Sequence, residues 1–600
     1  MYIRRVMTRR AAGETYYSYR LVESRREGGR VRQMTLLNLG SHFELPEDQW
    51  GLLCLRLGQL LGQQGVLLPA DAGADVEAAA QALAARLVAR APAQNAPAAS
   101  ADFVEVDVAS LELVRPRSVG VEHVGLYALA QLQLEPLLQS LGINAITCAM
   151  ISAQVVGRMA APGSERATWG WLNERSALAE LLDLSLHKLS IMRLYRAADV
   201  LIKHQEAIET QLFARVQDIF DLSAMVSLYD LTNTYFEGAA RANPKARRGH
   251  SKEKRTDCPL LTLGLVLDSS GFVRRSRVLA GNAVECRSLA GMLEDLNAPH
   301  GALVVMDRGI ATEDNLAWLG QQGYRYLVVS REQARVAPQG KMTVTTAGGE
   351  TITVERVLDA DRGEVRLYCH SPGRELKETG ISQRFCKRFE VGLQKLADGL
   401  AKPRGPKHPD VIHQRIGRLR QSSFGAARHY AITVETDPEQ TRVIAICWQK
   451  IPVAGTMLTD PGVYCLRSNE ATWDEERLWR TYMMLTDLEA VFRSLKSELG
   501  LRPVYHAKEE RGDSHLFISV LAYQCVQLLR RQLKDKDIDL SWRALRDILS
   551  AQQRVTVRFQ QKDGKTLHIR KTTTPEPKLK ALYDALGLVS LPGGTRKRVD

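Results

Sequence analysis

The sequence predicts an α/β protein: a mixed sheet with helical crossovers, interrupted by a β-rich insertion and preceded by an all-helical region. Three observations carry this. Between 221 and 340 the strand-like runs LSAMVSLYD, PLLTLGLVLD, FVRRSRVLA, ALVVMD and YRYLVVS come in the order strand, strand, strand, helix, strand, helix, strand, which calls for a mixed sheet with crossover helices. Residues 121–220 keep a helical period throughout, in blocks such as GLYALAQLQLEPLLQSLG, broken once at Pro162-Gly163 and the cap Ser164. Residues 341–470 return to short alternating runs such as KMTVTTAGGETITVERVL and RVIAICWQ around a basic helical middle at about 381–421.

The flanking elements follow in order. Residues 1–68 open on arginine-studded β alternation with a hairpin at Gly28-Gly29 and a helix from Asp48 through WGLLCLRLGQLLG. This small basic domain suits a grip on DNA backbone; a plain β-hairpin cap is the competing reading. Residues 69–120 are an Ala/Pro-rich helix and linker. Residues 471–535 hold two helical stretches. Residues 536–600 hold a helix (541–553), a hairpin with an Asp-Gly turn (554–573) and a basic, frayed tail.

Composition bounds the function. The 600 residues exceed one ordinary domain. Lys and Arg number 81 against 68 Asp and Glu, a formal net charge of +13, which favours a polyanionic partner, nucleic acid first. Nine cysteines are scattered singly without zinc-ligand spacing, so free thiols in a reducing compartment are expected. No signal-peptide profile opens the chain and no apolar run approaches the roughly 20 residues that span a bilayer. A cytoplasmic protein without membrane contact is expected.

Chemistry concentrates in acids far apart in the chain. Asp230 and Asp307 each close a strand-like run, in SLYDLTNTYFEG and VVMDRGIATEDN. Glu489 lies in the helical stretch Tyr482–Lys496. At about 100° per residue, Leu488, Val491, Phe492 and Leu495 share its apolar stripe, while Tyr482, Glu489, Arg493 and Lys496 share the other face. Taken alone, an ordinary amphipathic helix with a salt-bridged solvent face is the plainer reading. Strand-end acids on neighbouring strands plus one from a packed helix can converge at a sheet edge. Converging carboxylates repel unless cations hold them, and oxygen-only ligation suits Mg²⁺ or Mn²⁺. Two such ions can clamp the attacking and leaving oxygens of a phosphodiester, the physics of RNase H-like nucleases. The bland alternatives are turn capping for the aspartates and an ion pair with Arg493 for Glu489.

With these residues in view, the chain resembles a cut-and-paste insertion-sequence transposase of the DDE type, from the branch with a Y-x2-R-x3-E-x6-K signature. Tyr482, Glu489 and Lys496 fall in that register; Leu485 stands where the signature has arginine, with Arg493 one turn past the glutamate as a candidate substitute. Asp230 and Asp307 match the first and second acids. GHSKEKRTD (249–257), SELGLRPVYH (497–506) and APGSERATWGWLNERSALAELL (161–182) also resemble the family pattern, so the resemblance spans most of 121–530.

The resemblance implies an RNase H-like catalytic core in two parts, 221–340 and 471–535, with the β-rich insertion between them. It implies that Asp230, Asp307 and Glu489 hold a pair of Mg²⁺ or Mn²⁺ ions, and that Tyr482 and Lys496 contact DNA near the scissile phosphate. It implies double-stranded DNA as partner (terminal inverted repeats and target), and a homodimer holding two ends in a synaptic complex. The activity implied is Mg-dependent cleavage at the ends of an insertion sequence and transfer of the freed 3′-hydroxyl into target DNA. Beside the first acid, the loop KARRGHSKEKR offers Lys252, Lys254 and Arg255 as phosphate contacts, or simply a solvated loop. Arg502, His506, Arg511 and His515 are read as capping and packing more than as DNA contacts, and Trp318 as core. No Gly-rich phosphate loop is present, so no nucleotide cofactor is expected. Two alternatives stay open: a metal-dependent endonuclease that does not join strands, and a domesticated DNA-binding protein without catalysis.

Overall fold

The computed structural model describes residues 1–9, 15–27, 30–40, 43, 45–60, 73–90, 103–220, 226–249, 255–293, 301–332, 334–340, 342–346, 348–359, 362–405 and 407–600. The chain is mixed α/β around one large sheet. In chain order its strands are β1 (Val226–Tyr235), β2 (Leu260–Asp268), β3 (Val273–Ala280), β4 (Leu303–Met306), β5 (Arg325–Val329), β6 (Met342–Thr345), β7 (Thr351–Asp359), β8 (Glu364–His370) and β9 (Val463–Ser468). Across the sheet they run β6-β7-β8-β9-β5-β4-β1-β2-β3. β4 pairs parallel with both β1 and β5, and the other neighbours are antiparallel. β2 is buried along its whole length, which is why its sequence reads as an unbroken apolar run rather than an alternating one.

The helices that bear on the site are α1 (Ala145–Ala160), α2 (Glu165–Glu174), α3 (Met192–Lys203), α4 (Gln205–Phe220), α5 (Glu313–Gln321), α6 (Pro372–Leu400), α7 (Pro409–Ser422), α8 (Glu475–Ser497) and α9 (Glu509–Lys534). α9 is the most buried of them, with Leu516 through Val526 almost wholly covered. It packs on α1, α3 and β3, so the helical region and one sheet face share a single apolar core. The opposite sheet face has its own core, Tyr229, Leu231, Val304, Met306 and Val328 under α5 and the short helix Leu289–Leu293.

Several expectations are corrected. The stretch 341–470 is not a separate β domain: β6 to β9 extend the large sheet. β9 covers the edge of β5 that would otherwise stay unpaired, and Arg467 on β9 bonds Glu364 on β8 (2.8 Å) and Glu313 on α5 (2.6 Å). Only α6, α7 and the hairpin Tyr430–Thr436/Val443–Lys450 form a body with its own small core, including Phe389, Leu393, Ile412 and Ile416. Within the expected linker, Val106–Ser118 is a strand paired to Gln553–Gln561 of the C-terminal hairpin, and the expected frayed tail pairs as Arg596–Val599 with Thr566–Thr572. The helix between β3 and β4 is described as Leu289–Leu293 after a 3-10 turn at Glu285–Arg287, and 294–300 lie outside the described residues.

At the N-terminus, Tyr2–Arg9, Thr15–Glu27 and Arg30–Gly40 form an antiparallel sheet against the helices Trp50–Leu60 and Ala74–Arg90. Glu27 pairs with Arg30; Gly28 and Gly29, where the hairpin turn was expected, lie outside the described residues. So do 91–102, where the linker was expected. The nine cysteines are unpaired.

The seam between α4 and β3 holds a buried carboxylate. Glu209 Oε1 accepts from Ser276 N (3.0 Å) and Gln205 Nε2 (3.3 Å), whereas among the described residues Oε2 has no hydrogen-bond partner. Burial pushes the Glu209 carboxyl up to about 7. An acid whose folded value is raised destabilises the fold progressively as pH climbs from its unfolded value towards the folded one. Glu209→Gln is therefore expected to raise the melting temperature at pH 8 and change it little at pH 4, read by thermal melts across that range; a gain equal at both pH values would refute the account.

Candidate active site

Asp230 and Asp307 are neighbours across the parallel ladder. Its last rung is Tyr229↔Met306, so each aspartate sits one residue beyond it, on strands about 4.8 Å apart. Asp230 does not end its strand as the sequence implied: β1 continues to Tyr235 because its other side pairs with β2 down to Tyr235↔Leu260. It is only on the β4 side that the ladder stops at the acids. Alternation then sets the face. Tyr229 and Met306 point into the core under α5, Leu228 and Val305 into the main core; Asp230 and Asp307 continue the second set. Asp230 is half-buried and Asp307 exposed. Each carboxylate takes the following backbone N–H, Leu231 N to Asp230 Oδ1 at 2.7 Å and Arg308 N to Asp307 Oδ1 at 2.6 Å.

That same face is covered by α8, which packs across β1, β4 and β5. The helix starts earlier than its amphipathic stretch, because Asp474 caps it by accepting from Arg477 N (2.7 Å). Val491, Phe492 and Leu495 are buried in the main core and Arg493 is exposed, as the helical wheel requires. Glu489 belongs to this helix, but its side chain, like that of Leu488, lies outside the described residues. Tyr482 and Leu485 pack half-buried against the main core. Leu485 thus fills an apolar contact at the position where the signature carries arginine. Lys496 is half-buried.

Next to β1 the basic loop divides. Lys252 and Lys254 lie outside the described residues. Arg255 stacks over the Tyr235 ring at 4.5 Å and grips Asp257 with two hydrogen bonds of 2.7 Å, holding that carboxyl at about 2. With Arg247 and Arg248 it lines an open cleft of about 490 Å³ just beyond the end of β1.

Sequence reasoning passed over a buried polar cluster that ties the helical region to the segment after α8. Arg158 Nη2 donates to His515 Nδ1 (2.6 Å) and Arg158 Nη1 to Gly500 O (3.1 Å). His515 Nε2 faces Gly500 O (3.2 Å), and His506 Nε2 meets Glu165 Oε2 at 2.5 Å. Glu165, His506 and His515 have their ligand atoms within 4.8 Å of one another, a spacing open to a metal ion. The partners argue otherwise. A guanidinium donates to one nitrogen of His515 and a carbonyl takes the other, so the ring has no lone pair for a cation. Burial pushes His515 well down, with the Arg158 charge adding to it. Burial would raise Glu165, but the His506 bond and the Arg158 charge prevail and hold it at about 2. The signal that could have found this cluster was Ser164-Glu165 at a helix start; Ser164 does cap α2, accepting from Ala167 N (3.3 Å). The packing role expected for His515 is what the structure shows, since it is fully buried. Trp318 likewise packs against the core under α5 and stacks on Tyr324.

Residues 3–59 match the family model described as IS1634 family transposase, N-terminal domain. This supports an insertion-sequence transposase, a mobile-element protein that acts on DNA. The match covers the N-terminal sheet and its first helix and ends well before Asp230. No curated protein matches the chain. Among the described residues, no helix is long and apolar enough to cross a membrane.

Glu165→Ala leaves Arg158 buried without its carboxylate and is expected to cost about 3–5 kcal/mol, read as a lowered denaturation midpoint. Because a depressed carboxyl contributes stability that is lost as pH falls from the ordinary carboxylate range towards 2, the variant also loses part of the acid-unfolding limb. Zn²⁺ added to the native chain leaves its melting temperature unchanged; a rise would restore the metal reading.

Proposed function

We propose that the chain is a DDE-type transposase that cuts at the ends of an insertion sequence and joins the freed ends to target DNA. The observation that carries this is the register of β1 and β4, which sets Asp230 beside Asp307 on the sheet face covered by the helix of Glu489. The strand order β3-β2-β1-β4-β5, antiparallel hairpins leading into two parallel crossovers, supports an RNase H-like core. The donor set fits hard divalent ions, being all oxygen with one exposed and one half-buried aspartate. Asp230, Asp307 and Glu489 would hold two Mg²⁺ or Mn²⁺. The chemistry such ions supply is polarisation of the scissile phosphodiester and a lowered pKa for the attacking water.

The chain's own groups bind and orient. Lys496 and Arg493 would neutralise backbone phosphates beside the acids, with the Tyr482 hydroxyl donating to the same strand. Lys252, Lys254 and Arg255 would hold the strand past the end of β1, contacts that position without reading sequence. Hydrolysis at the element's end frees a 3′-hydroxyl. That hydroxyl attacks a target phosphodiester, one P–O bond forming as another breaks, so no nucleotide is consumed. Two ends held together call for a homodimer in a synaptic complex.

The test is an in vitro excision and joining assay on duplexes carrying the element's own terminal repeats, with Mg²⁺. Asp230→Ala and Asp307→Ala are each expected to lower cleavage by at least about 100-fold, the upper loss typical of disturbing even the outer partners of metal ligands, while end binding persists. Undiminished cleavage by either variant would remove that aspartate from the site. Cleaved products without joined ones would favour an endonuclease that does not join strands.

A further inference from the structure

We propose that the exposed face of α6 is a second DNA-binding surface, a row of cations that holds the phosphodiester backbone of a duplex running on from Asp230 and Asp307. It rests on the reading of the chain as a DNA-cutting enzyme and adds a surface which that reading does not use. α6 is 29 residues long, about 43 Å of helix. One side buries Cys386, Phe389 and Leu393 in the small core it shares with α7. On the opposite side Lys377, Arg384, Arg388 and Lys395 recur at i, i+7, i+11 and i+18, within about 40° of one another at 3.6 residues per turn. All four are exposed.

The acids of the same helix are engaged elsewhere. Glu378 takes Arg335 (2.5 Å) and Arg374 (2.9 Å), Glu390 the Tyr430 hydroxyl (2.5 Å), Glu375 His370 (2.9 Å), and Asp398 accepts from Gln394 Nε2 (2.7 Å). Among the described residues none of the four cations has a carboxylate partner, and Arg384 and Arg388 are a like-charged i, i+4 pair, which costs helix stability when nothing neutralises it. A polyanion laid along the row would relieve that cost.

The topology says which way the row is reached. β8 runs in the same direction as β4, because β4 and β5 are parallel and the steps to β9 and then β8 each reverse. α6 therefore begins, at the cap Ser371, on the same sheet edge as Asp307, three strand spacings or about 14 Å along it. Its start is fixed by Ser371 N to Gly462 O (3.1 Å) and Gly462 N to Glu378 Oε2 (2.9 Å). The row spans about 27 Å, most of the roughly 34 Å turn of a duplex, so its cations can follow one face of the backbone without reading bases.

The test compares the full chain with K377Q/R384Q/R388Q/K395Q and with the charge-keeping K377R/R384K/R388K/K395R. Dissociation constants are measured over a salt series for a duplex carrying the element's terminal repeat and for a random duplex of equal length. The glutamine variant is expected to lose about 3 to 4 from the slope of log affinity against log salt, and the charge-keeping variant to match the native chain. Loss confined to the terminal-repeat duplex assigns the surface to the element's end, loss on the random duplex to target DNA. If the quadruple glutamine variant melts abnormally, R384Q/R388Q replaces it, with an expected loss of about 2. A natively melting variant with an unchanged slope on both duplexes overturns the inference alone; a native chain that binds neither duplex overturns the proposed function with it. A slope lost equally by the charge-keeping variant also overturns it.

Discussion

The parallel register of β1 on β4 is the constraint on which the rest depends. Tyr229 opposite Met306 places two acids 77 positions apart in the chain on adjacent strands and on one face. A slip of one residue would send one of them into the core beneath α5, since side chains alternate faces along a strand. The register is held by what flanks the acids: Leu228 and Val305 in one core, Tyr229 and Met306 in the other, all four essentially inaccessible to water. Two apolar layers thus position a polar pair that neither layer contains.

The third acid's helix is set from both ends. Upstream, β9 delivers the chain to the Asp474 cap. Downstream, the segment after α8 is stitched to β1, with Thr234 Oγ1 donating to Leu501 O (3.0 Å) and Val504 N to Tyr235 O (2.9 Å). That segment is also gripped by the helical region through Arg158, Glu165, His506 and His515. The helical region, which carries no catalytic-looking chemistry of its own, therefore helps decide where α8 lies against the strands. A buried network of this kind is expensive to leave half-satisfied, and this one is nearly closed, with each ring nitrogen of His515 and both terminal nitrogens of Arg158 engaged.

The insertion divides in two by the same logic of edges and cores. Its outer strands join the large sheet because a strand beside β5 satisfies an open ladder, and Arg467 then locks the addition through Glu364 and Glu313. Its middle, α6 and α7 with a two-stranded hairpin, buries its own apolar residues and turns its charge outward. A basic stretch becomes a surface with direction only when the helix is long and anchored at one end, and α6 is both.

By itself the sequence determined the local things. Strand and helix types, the cap at Ser164, the C-terminal hairpin, the amphipathic wheel of α8 and the candidate acids follow from periodicity and residue chemistry, which act within a few positions. It misplaced what depends on distant partners. Val106–Ser118 is a strand because Gln553–Gln561 lies beside it, and β6 to β9 join the main sheet because β5 offers an edge. Asp230 lies within its strand because β2 continues past it, and Glu165 finds His506 and His515 more than 340 residues away. Hydrogen-bond ladders and buried ion pairs are completed by whichever chain segment arrives, and only the tertiary structure brings those segments together.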